Sequence, residues 1–250
     1  MIDIVMITTL TRVELFHQSM VSLLNNRYLP LSRDYTLTIV LDSPDHYSSV
    51  LDEKRMSRPS PTLIINDQRK GASASRNIGA SSIPKYRRQS HVMFLDDDVF
   101  MCPKWDEKLM ELAWTLPHSI ISGHAHPYNH AAKRNIDAPT EGLPVDKVPF
   151  HLSYEMPLVI STVCMLMPWS IWDDVGYFTE PGGPGGSEDY DYCMRAKTKG
   201  YGFAVTEPQC VIHTGITSSN GKPIVGADVV QGNNAKLEMI YGIEGKVVYG

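Results

Sequence analysis

The chain has 250 residues, 42% of them hydrophobic and 20% charged, so it can bury a large core and is too apolar to be intrinsically disordered. Its formal net charge of −5 gives no support for wholesale binding to nucleic acid or anionic membranes. No apolar run approaches the roughly 20 residues of a membrane span, and the N-terminus lacks a signal-peptide pattern. The four cysteines form no CxxC pair, so we expect reduced thiols in a cytoplasmic protein.

The first half of the chain alternates between predicted strands and predicted helices. Apolar, β-branched runs predict four strands, each followed by polar residues or a turn signal. These strands are expected at Ile2–Thr8, 36–41, Thr62–Ile65 and 92–95. Helices are expected at 11–26, 72–82 and 105–116. Repeated β-then-α units favour an α/β fold with a parallel sheet and right-handed crossovers.

The second half of the chain is less regular. Its predicted strands are 119–122, 159–167 and 209–213. Residues 123–157 are rich in His, Pro and Asn and are interpreted as a loop or insertion. A helix is expected at 187–199, ended by Gly200, and the glycine-rich segment 182–186 before it is interpreted as a mobile flap. The tail beyond residue 214 carries no clear pattern.

Polar side chains follow each of the four predicted strands of the first half. They are Thr8, Thr9 and Arg12, then Asp42 and Asp45, then Asn66 and Asp67, and finally Asp96, Asp97 and Asp98. Open parallel sheets bind ligands at the carboxyl ends of their strands, so these groups predict a polar crevice along one edge. Strand ends are often polar simply because loops are, but no turn requires three adjacent carboxylates. A divalent cation would relieve their repulsion, which favours a site at 96–98.

Four segments in order along the chain resemble nucleotide-sugar-dependent glycosyltransferases of the GT-A fold, most closely family 2. FLDDDV at 94–99 resembles their DxD element, and GASASRNIG at 71–79 resembles their G…ARNxG segment. LDSPD at 41–45 keeps only the first and last acids of the family's DDxSxD turn. SEDYD at 187–191 is similar to their acceptor-side ED helix. The resemblance covers roughly residues 2–213.

This resemblance implies one GT-A domain over residues 1–250, with a Rossmann-like, mostly parallel central sheet flanked by helices. Residues 1–117 would form the nucleotide-sugar-binding half, and 118–250 a mixed acceptor-side half with the C-terminal tail. The implied enzyme moves a sugar from a nucleotide donor, expected to be UDP-linked, to an acceptor hydroxyl by inverting displacement. The implied cofactor is Mn²⁺ or Mg²⁺, which would stabilise the departing diphosphate.

The same resemblance assigns roles to individual residues. Asp98 would ligate the metal, and Asp96 would contact the ribose or a metal-bound water. Asp42 and Arg76 would contact the nucleobase and its surroundings. The remaining expected donor-binding residues are Thr8, Thr9, Arg12, Asp67, Gly71 and Asp97.

His213 and the acids of the ED pair complete the expected site. A lone histidine after a strand is more often structural. However, several GT-A enzymes place a second metal-binding residue here, and imidazole suits manganese better than magnesium, so we expect His213 to share the metal with Asp98. Asp189 is the expected general base, with Glu188 as the alternative. Because the helix dipole also favours acids in a first turn, a purely structural role for this acid pair stays open.

Other functions stay open at this point. A nucleotidyltransferase would also combine an α/β sheet with aspartates and a metal, but its usual glycine-rich basic loop is replaced here by TTLTR at 8–12. A non-catalytic nucleotide-sugar or glycan-binding module would have no use for acids at both 96–98 and 188–189. The acceptor is unknown. A carbohydrate or small molecule is favoured, and a modified base in DNA remains an alternative.

Overall fold

The computed structural model describes residues 2–11, 13–28, 35–43, 61–123, 133–136, 152–155, 159–180, 188–207 and 209–213. The strands in these residues are β1 (Ile2–Thr8), β2 (Tyr35–Leu41), β3 (Thr62–Ile65), β4 (His91–Asp96), β5 (Val99–Met101), β6 (Ser119–Ser122), β7 (Lys133–Ile136), β8 (Leu152–Glu155), β9 (Cys164–Pro168), β10 (Gly202–Glu207) and β11 (Val211–His213). The α-helices are α1 (Val13–Asn25), α2 (Ala72–Ser81), α3 (Trp105–Thr115), α4 (Trp169–Val175) and α5 (Glu188–Thr198). None of these helices is long and apolar enough to cross a membrane.

Nine of the described strands form one mixed sheet in the order β3-β2-β1-β4-β9-β6-β10-β8-β7. The first four of these are parallel neighbours, as predicted for the first half of the chain. Strand β9 then pairs antiparallel with both β4 and β6. On the far side, β10 is parallel to β6 and antiparallel to β8, which pairs with β7. The predicted α/β fold, with a parallel first half and a mixed second half, is confirmed.

The parallel strands lie at the centre of the molecule, and helices cover both faces. Along β1, Ile4 and Met6 point into the hydrophobic cluster that contains residues of α1 and α3. Val5 points to the opposite face, into the cluster formed with α2, α4 and α5. Side chains alternate between the faces of a strand, so a strand covered on both sides is mostly apolar, and the one buried acid of β1, Asp3, is hydrogen-bonded to Trp169 and Thr36. This burial explains why β1 could be predicted as a continuous apolar run.

The second half differs from the prediction in several elements. The segment 123–157, interpreted as loop, contributes the short strands β7 and β8 at one end of the sheet. Their sequences are largely polar, which an edge position tolerates. The strand expected at 159–167 begins only at Cys164. Just before it, the backbone N–H of Val163 donates to Ser161 Oγ at 3.3 Å, and such a local bond competes with ladder pairing.

Three further elements, β5, α4 and β10, were not predicted, and some predicted features lie outside the described residues. Helix α4 starts directly after Pro168, and β10 follows Gly200, whose φ of 86° ends α5 as expected. The glycine-rich segment 182–186, Arg12, Asp45 and all residues beyond 213 lie outside the described residues.

Helix α2 packs closely on β1 and β2 because Gly79 carries no side chain. A Cβ atom at this position would lie 2.4 Å from Val5 Cγ1 and 2.9 Å from Val40 Cγ2. Both valines are fully buried, so they have little room to move away. The glycine at the end of the 71–79 segment therefore sets the distance between the helix and the sheet.

We expect Gly79→Ala to lower the free energy of unfolding by about 1–3 kcal/mol through overpacking, despite the better helix propensity of alanine. Urea denaturation monitored by circular dichroism would measure the change. Ser81→Ala, at an exposed position of the same helix, is the matched control and should stay within about 0.5 kcal/mol of the parent. A Gly79→Ala protein as stable as this control would contradict the close approach.

Candidate active site

The carboxyl ends of β1 to β4 bring polar side chains together along one edge of the sheet. At the end of β1, Thr8 Oγ1 donates to Asp97 Oδ2 at 2.5 Å. Asn66, after β3, donates from Nδ2 to Asp42 Oδ1, after β2, at 2.8 Å. The strands are parallel and in register, with Thr8 opposite Leu41, so their ends reach the same level. Of the polar groups predicted to meet at this edge, Thr8 therefore meets Asp97, and Asp42 meets Asn66.

Asp42 holds the loop that leads into α2. Besides Asn66, its carboxylate accepts hydrogen bonds from the backbone N–H groups of Lys70 at 2.7 Å and Gly71 at 2.9 Å. Asp42 is only 4% exposed. Gly71, at the start of α2, has a φ of 90°, which a residue with a side chain adopts only with strain. One buried carboxylate thus fixes the beginning of α2 beside the end of β2.

Two other residues expected to bind the donor lie farther from the buried part of the crevice. The side chain of Asp67 is 79% exposed, and its carboxylate lies 3.1 Å from Lys70 Nζ. The hydrogen bond from that lysine lowers the pKa of Asp67. Thr9 is partly exposed, and its hydroxyl is 3.0 Å from the hydroxyl of Thr11. Contact of Asp67 and Thr9 with a donor stays a prediction.

The three consecutive aspartates at the end of β4 face three different partners. Asp96 Oδ1 accepts from Arg76 Nη2 at 2.6 Å, and Asp97 accepts from Thr8. Asp98 Oδ1 lies 3.2 Å from the Nε2 atom of His213. Burial raises the pKa of Asp96, although the neighbouring guanidinium acts in the opposite direction. The carboxylates are therefore kept close together by separate interactions.

A small antiparallel sheet brings His213 to Asp98. Strand β5 begins directly after Asp98 and pairs with β11, with Val99 opposite His213. The pairing is extended by a hydrogen bond from the backbone N–H of Cys102 to the carbonyl of Cys210, at 2.8 Å. Two residues far apart in sequence are thus held at the same end of the crevice.

Asp98 and His213 together offer one carboxylate oxygen and one imidazole nitrogen, a donor set that manganese accepts. Asp98 is buried, whereas the side chain of His213 is 29% exposed, so the pair is reachable from the crevice. Within the described residues, no group of three or more His, Cys, Asp or Glu side chains is placed to hold a metal ion. A metal at this pair would therefore need further ligands from beyond the described residues.

Two acids in the first turn of α5, Glu188 and Asp191, are buried, and each forms an ion pair with a different arginine. Glu188 Oε1 accepts from Arg76 Nη1 at 2.8 Å. Asp191 Oδ2 accepts from Arg195 Nε at 2.8 Å and from the hydroxyl of Thr179. These contacts fix the start of α5 on both sides.

Asp189 lies between these two acids in sequence but has a different environment. Its side chain is partly exposed, and Oδ1 accepts a hydrogen bond from the backbone N–H of Tyr190 at 2.8 Å. Burial and the negative charge of Glu188 raise the pKa of Asp189 to about 7, while Arg76 opposes the rise. A carboxylate that is half ionised at neutral pH is suited to general acid–base chemistry.

Arg76 lies beneath the crevice and connects its two sides. It is 2% exposed and contacts Asp96 at the end of β4 and Glu188 at the start of α5. Its contact with a nucleobase, implied by the resemblance, stays a prediction.

The contacts of Asn77 were missed by the sequence analysis. Its side-chain amide donates to the carbonyl of Phe178 at 2.9 Å and accepts from the N–H of the same residue at 2.9 Å. The ring of Phe178 lies 5.9 Å from the guanidinium of Arg76. The RN dipeptide at 76–77 was the available signal, but the partner segment, 101 residues away, carries no recognisable pattern.

The sequence model of glycosyl transferase family 2 matches residues 4–166, which is more than half of the sequence. The chain belongs to glycosyl transferase family 2. It is therefore a glycosyltransferase with a GT-A fold, as the motifs predicted, and the nucleotidyltransferase and non-catalytic alternatives are no longer needed. The matched segment of this glycosyltransferase includes Asp42, Arg76 and the acids at 96–98, and it ends before α5 and β11.

Solved structures share the fold of this glycosyltransferase at low identity. A crystal structure of GalNAc-T7 with UDP, GalNAc and Mn²⁺ has a TM-score of 0.67 and 14% identity, over 96% of this chain and 48% of that one. A crystal structure of S. aureus TarS has a TM-score of 0.56 and 15% identity, over 82% of this chain and 34% of that one. A crystal structure of residues 1–349 of TarS has a TM-score of 0.55 and 14% identity, over 82% of this chain and 57% of that one. The chain spans less than two thirds of the length of each of these three structures. A search of curated proteins found no match to its sequence.

Proposed function

We propose that the crevice binds a UDP-linked sugar together with Mn²⁺, or Mg²⁺, and transfers the sugar to an acceptor hydroxyl. The observation that carries the proposal is the pairing of Asp98 with His213 at 3.2 Å beside the buried strand ends. A protein of the same fold was crystallised with UDP and Mn²⁺, which supports the choice of nucleotide and metal.

The proposed donor site is the edge formed by the carboxyl ends of β1 to β4. Its residues are Thr8, Thr9, Arg12, Asp42, Asp67, Gly71, Arg76, Asp96 and Asp97. Asp98 and His213 would hold the metal, which when bound stabilises the negative charge that develops on the leaving diphosphate. The side chain of Thr8 orients Asp97, and Asp42 fixes the loop that borders the crevice.

The acceptor side of the site is built by the start of α5. Asp189 takes the proton from the acceptor hydroxyl as that oxygen attacks the anomeric carbon and the bond to the diphosphate breaks. One direct displacement of this kind inverts the configuration at the anomeric carbon. Glu188 stays paired with Arg76 and keeps Asp189 in place.

The preferred acceptor is a carbohydrate or another small hydroxyl compound. The net charge of −5 offers little for tracking DNA phosphates, so a modified DNA base is the less favoured acceptor. We further propose that residues 1–250 act as one catalytic domain, with the donor half at 1–117 and the acceptor half at 118–250. A cytoplasmic location agrees with the four free cysteine thiols.

We expect UDP to bind at least about tenfold more tightly with manganese than without it, a difference of roughly 1.4 kcal/mol, because the metal would bridge the diphosphate to the protein. Isothermal titration calorimetry with UDP, with ADP as the matched control, would measure both affinities. Equal UDP binding in the two titrations would contradict the metal assignment, and a preference for ADP would contradict the donor assignment. Mass spectrometry of manganese-dependent hydrolysis across several nucleotide sugars would then identify the sugar.

A further inference from the structure

Arg76 makes two ion pairs that join distant parts of the chain. Its Nη2 atom is 2.6 Å from Asp96, which ends β4, and its Nη1 atom is 2.8 Å from Glu188, which begins α5. The two acids come from the two sides of the crevice and are separated from the arginine by 20 and 112 positions in sequence. With 2% of its surface exposed, Arg76 lies beneath the crevice and not on its wall.

The arginine itself is held firmly by the helix that carries it. Helix α2 packs against β1 and β2 without space for a side chain at Gly79. The residue after the arginine, Asn77, is tied by two hydrogen bonds to Phe178. A planar guanidinium on such a fixed support can hold two carboxylates in a defined relative position, which the point charge of a lysine cannot do.

We propose that Arg76 is a positioning residue that locks the start of α5 to the end of β4 and so places Asp189 opposite the aspartates that face the donor. The inference rests on the proposed function, because it concerns the same site. Asp189 directly follows Glu188, so the ion pair of Glu188 with Arg76 holds the helix backbone that carries the Asp189 carboxylate. The nucleobase contact that the resemblance implies for this arginine stays a separate prediction.

The charges around Asp189 provide a readout that a merely structural residue would not move. Glu188 raises the pKa of Asp189 by repulsion, and Arg76 lowers it by attraction. Among the described residues, these two side chains are the charged groups with the largest effect on the pKa of this carboxylate. Removing the arginine charge and removing the glutamate charge should therefore shift the titration of Asp189 in opposite directions.

The experiment is a ¹³C NMR titration of aspartate carboxyl carbons in the full-length protein, with Asp189 assigned by its disappearance in Asp189→Asn. We expect its midpoint to rise by about one pH unit in Arg76→Met and to fall by about one unit in Glu188→Gln, the lower end of the range for a nearby charge. Arg87→Met, which removes an exposed arginine, is the matched control and should leave the midpoint unchanged. Shifts in the same direction, or none, would overturn the inference.

The buried ion pairs make Arg76→Met prone to unfold, because it leaves two carboxylates without their partner. Glu188→Gln keeps the arginine and the shape of the side chain, so its downward shift tests the inference by itself. The double variant Arg76→Met/Glu188→Gln restores the charge balance, and its midpoint should return towards that of the parent. If Glu188→Gln leaves the midpoint where it was, the inference fails.

Arg76→Lys separates position from charge. The lysine keeps the positive charge, so the Asp189 midpoint should stay within a few tenths of a unit, while kcat for donor hydrolysis or transfer falls about tenfold or more because α5 is no longer locked. Parent-like kcat in this variant would overturn the positioning role. NMR needs no substrate, so the two tests can fail separately. If the Asp189 midpoint shifts as expected in Glu188→Gln but the parent protein turns over no donor, only the proposed function is rejected. If the parent turns over donor but Glu188→Gln leaves the Asp189 midpoint unchanged, only the inference is rejected.

Discussion

Asp189→Asn should reduce sugar transfer by about 10²–10⁴-fold, the usual range for loss of a general base, and leave the affinities for UDP and manganese nearly unchanged. Asparagine keeps the shape of the side chain and can still accept the hydrogen bond from the backbone of Tyr190. What it cannot do is take a proton from the acceptor hydroxyl. Steady-state transfer assays and calorimetry on the same preparation would separate the two effects.

Asp174→Asn is the matched control for this substitution. Asp174 lies on α4 with its carboxylate exposed, 2.9 Å from Lys199 Nζ, so its loss should leave transfer unchanged. If Asp189→Asn transfers normally while Glu188→Gln is inactive, the base is one residue earlier in the chain. If neither substitution lowers the rate, the acids only stabilise the first turn of the helix, and the proposed mechanism is wrong.

The pH profile follows from the ionisation of the same residue. Because the pKa of Asp189 is raised to about 7, kcat/KM should rise with pH and level off above neutrality, falling about 100-fold by pH 5. The same shift affects stability with a defined sign. An aspartate has a pKa of about 4 in the unfolded chain, so the folded state binds more protons between about pH 4 and pH 7, and this group destabilises the fold as pH rises through that window. Asp189→Asn should remove both dependences.

Asp98→Ala and His213→Ala should each weaken manganese-dependent UDP binding by about tenfold or more and so remove most of the manganese enhancement, because even residues that only orient metal ligands contribute 10–100-fold to metal affinity. UDP binding without metal should change little in either variant. Calorimetry with and without manganese would measure the difference. Transfer should fall in parallel, since the metal stabilises the leaving diphosphate.

His118→Ala is the control for the histidine, because His118 is exposed on the loop before β6, away from the aspartate turn. A His213→Ala protein that binds manganese and turns over donor like the parent would show that this imidazole only pairs with Asp98. An Asp98→Ala protein with full metal dependence would remove the proposed metal centre altogether.

The sequence predicted the parallel half of the fold well because its strands are buried on both faces. A strand such as β1 is apolar along most of its length, and its polar last residue, Thr8, then marks its end. Since the carboxyl ends of parallel strands lie at one edge, the meeting of Asp42 with Asn66 and of Thr8 with Asp97 follows from strand order alone. The placement of His213 beside Asp98 was expected only from the family resemblance.

The rest of the site depends on contacts that leave no local pattern. Strand β5 has three residues, too short for a hydrophobic period, and although a strand was predicted at 209–213, nothing in its sequence showed that it pairs with β5 and brings the histidine to the aspartate. The partner of Arg76 on α5 is 112 residues away, and no spacing rule connects them. Helix α4 and the late start of β9 were missed because the apolar run at 159–167 reads equally well as one long strand.

The antiparallel insertion of β9 between β4 and β6 has a consequence for synthesis on the ribosome. Strand β4 leaves the exit tunnel well before β9, and at about 5–20 residues per second the interval lasts several seconds. Throughout this interval, one edge of the buried strand β4 is unpaired and can join a strand of another molecule. A fragment ending at residue 117 would keep that edge open permanently. We therefore expect yield to depend on chaperones and growth temperature, and expect such a fragment to aggregate.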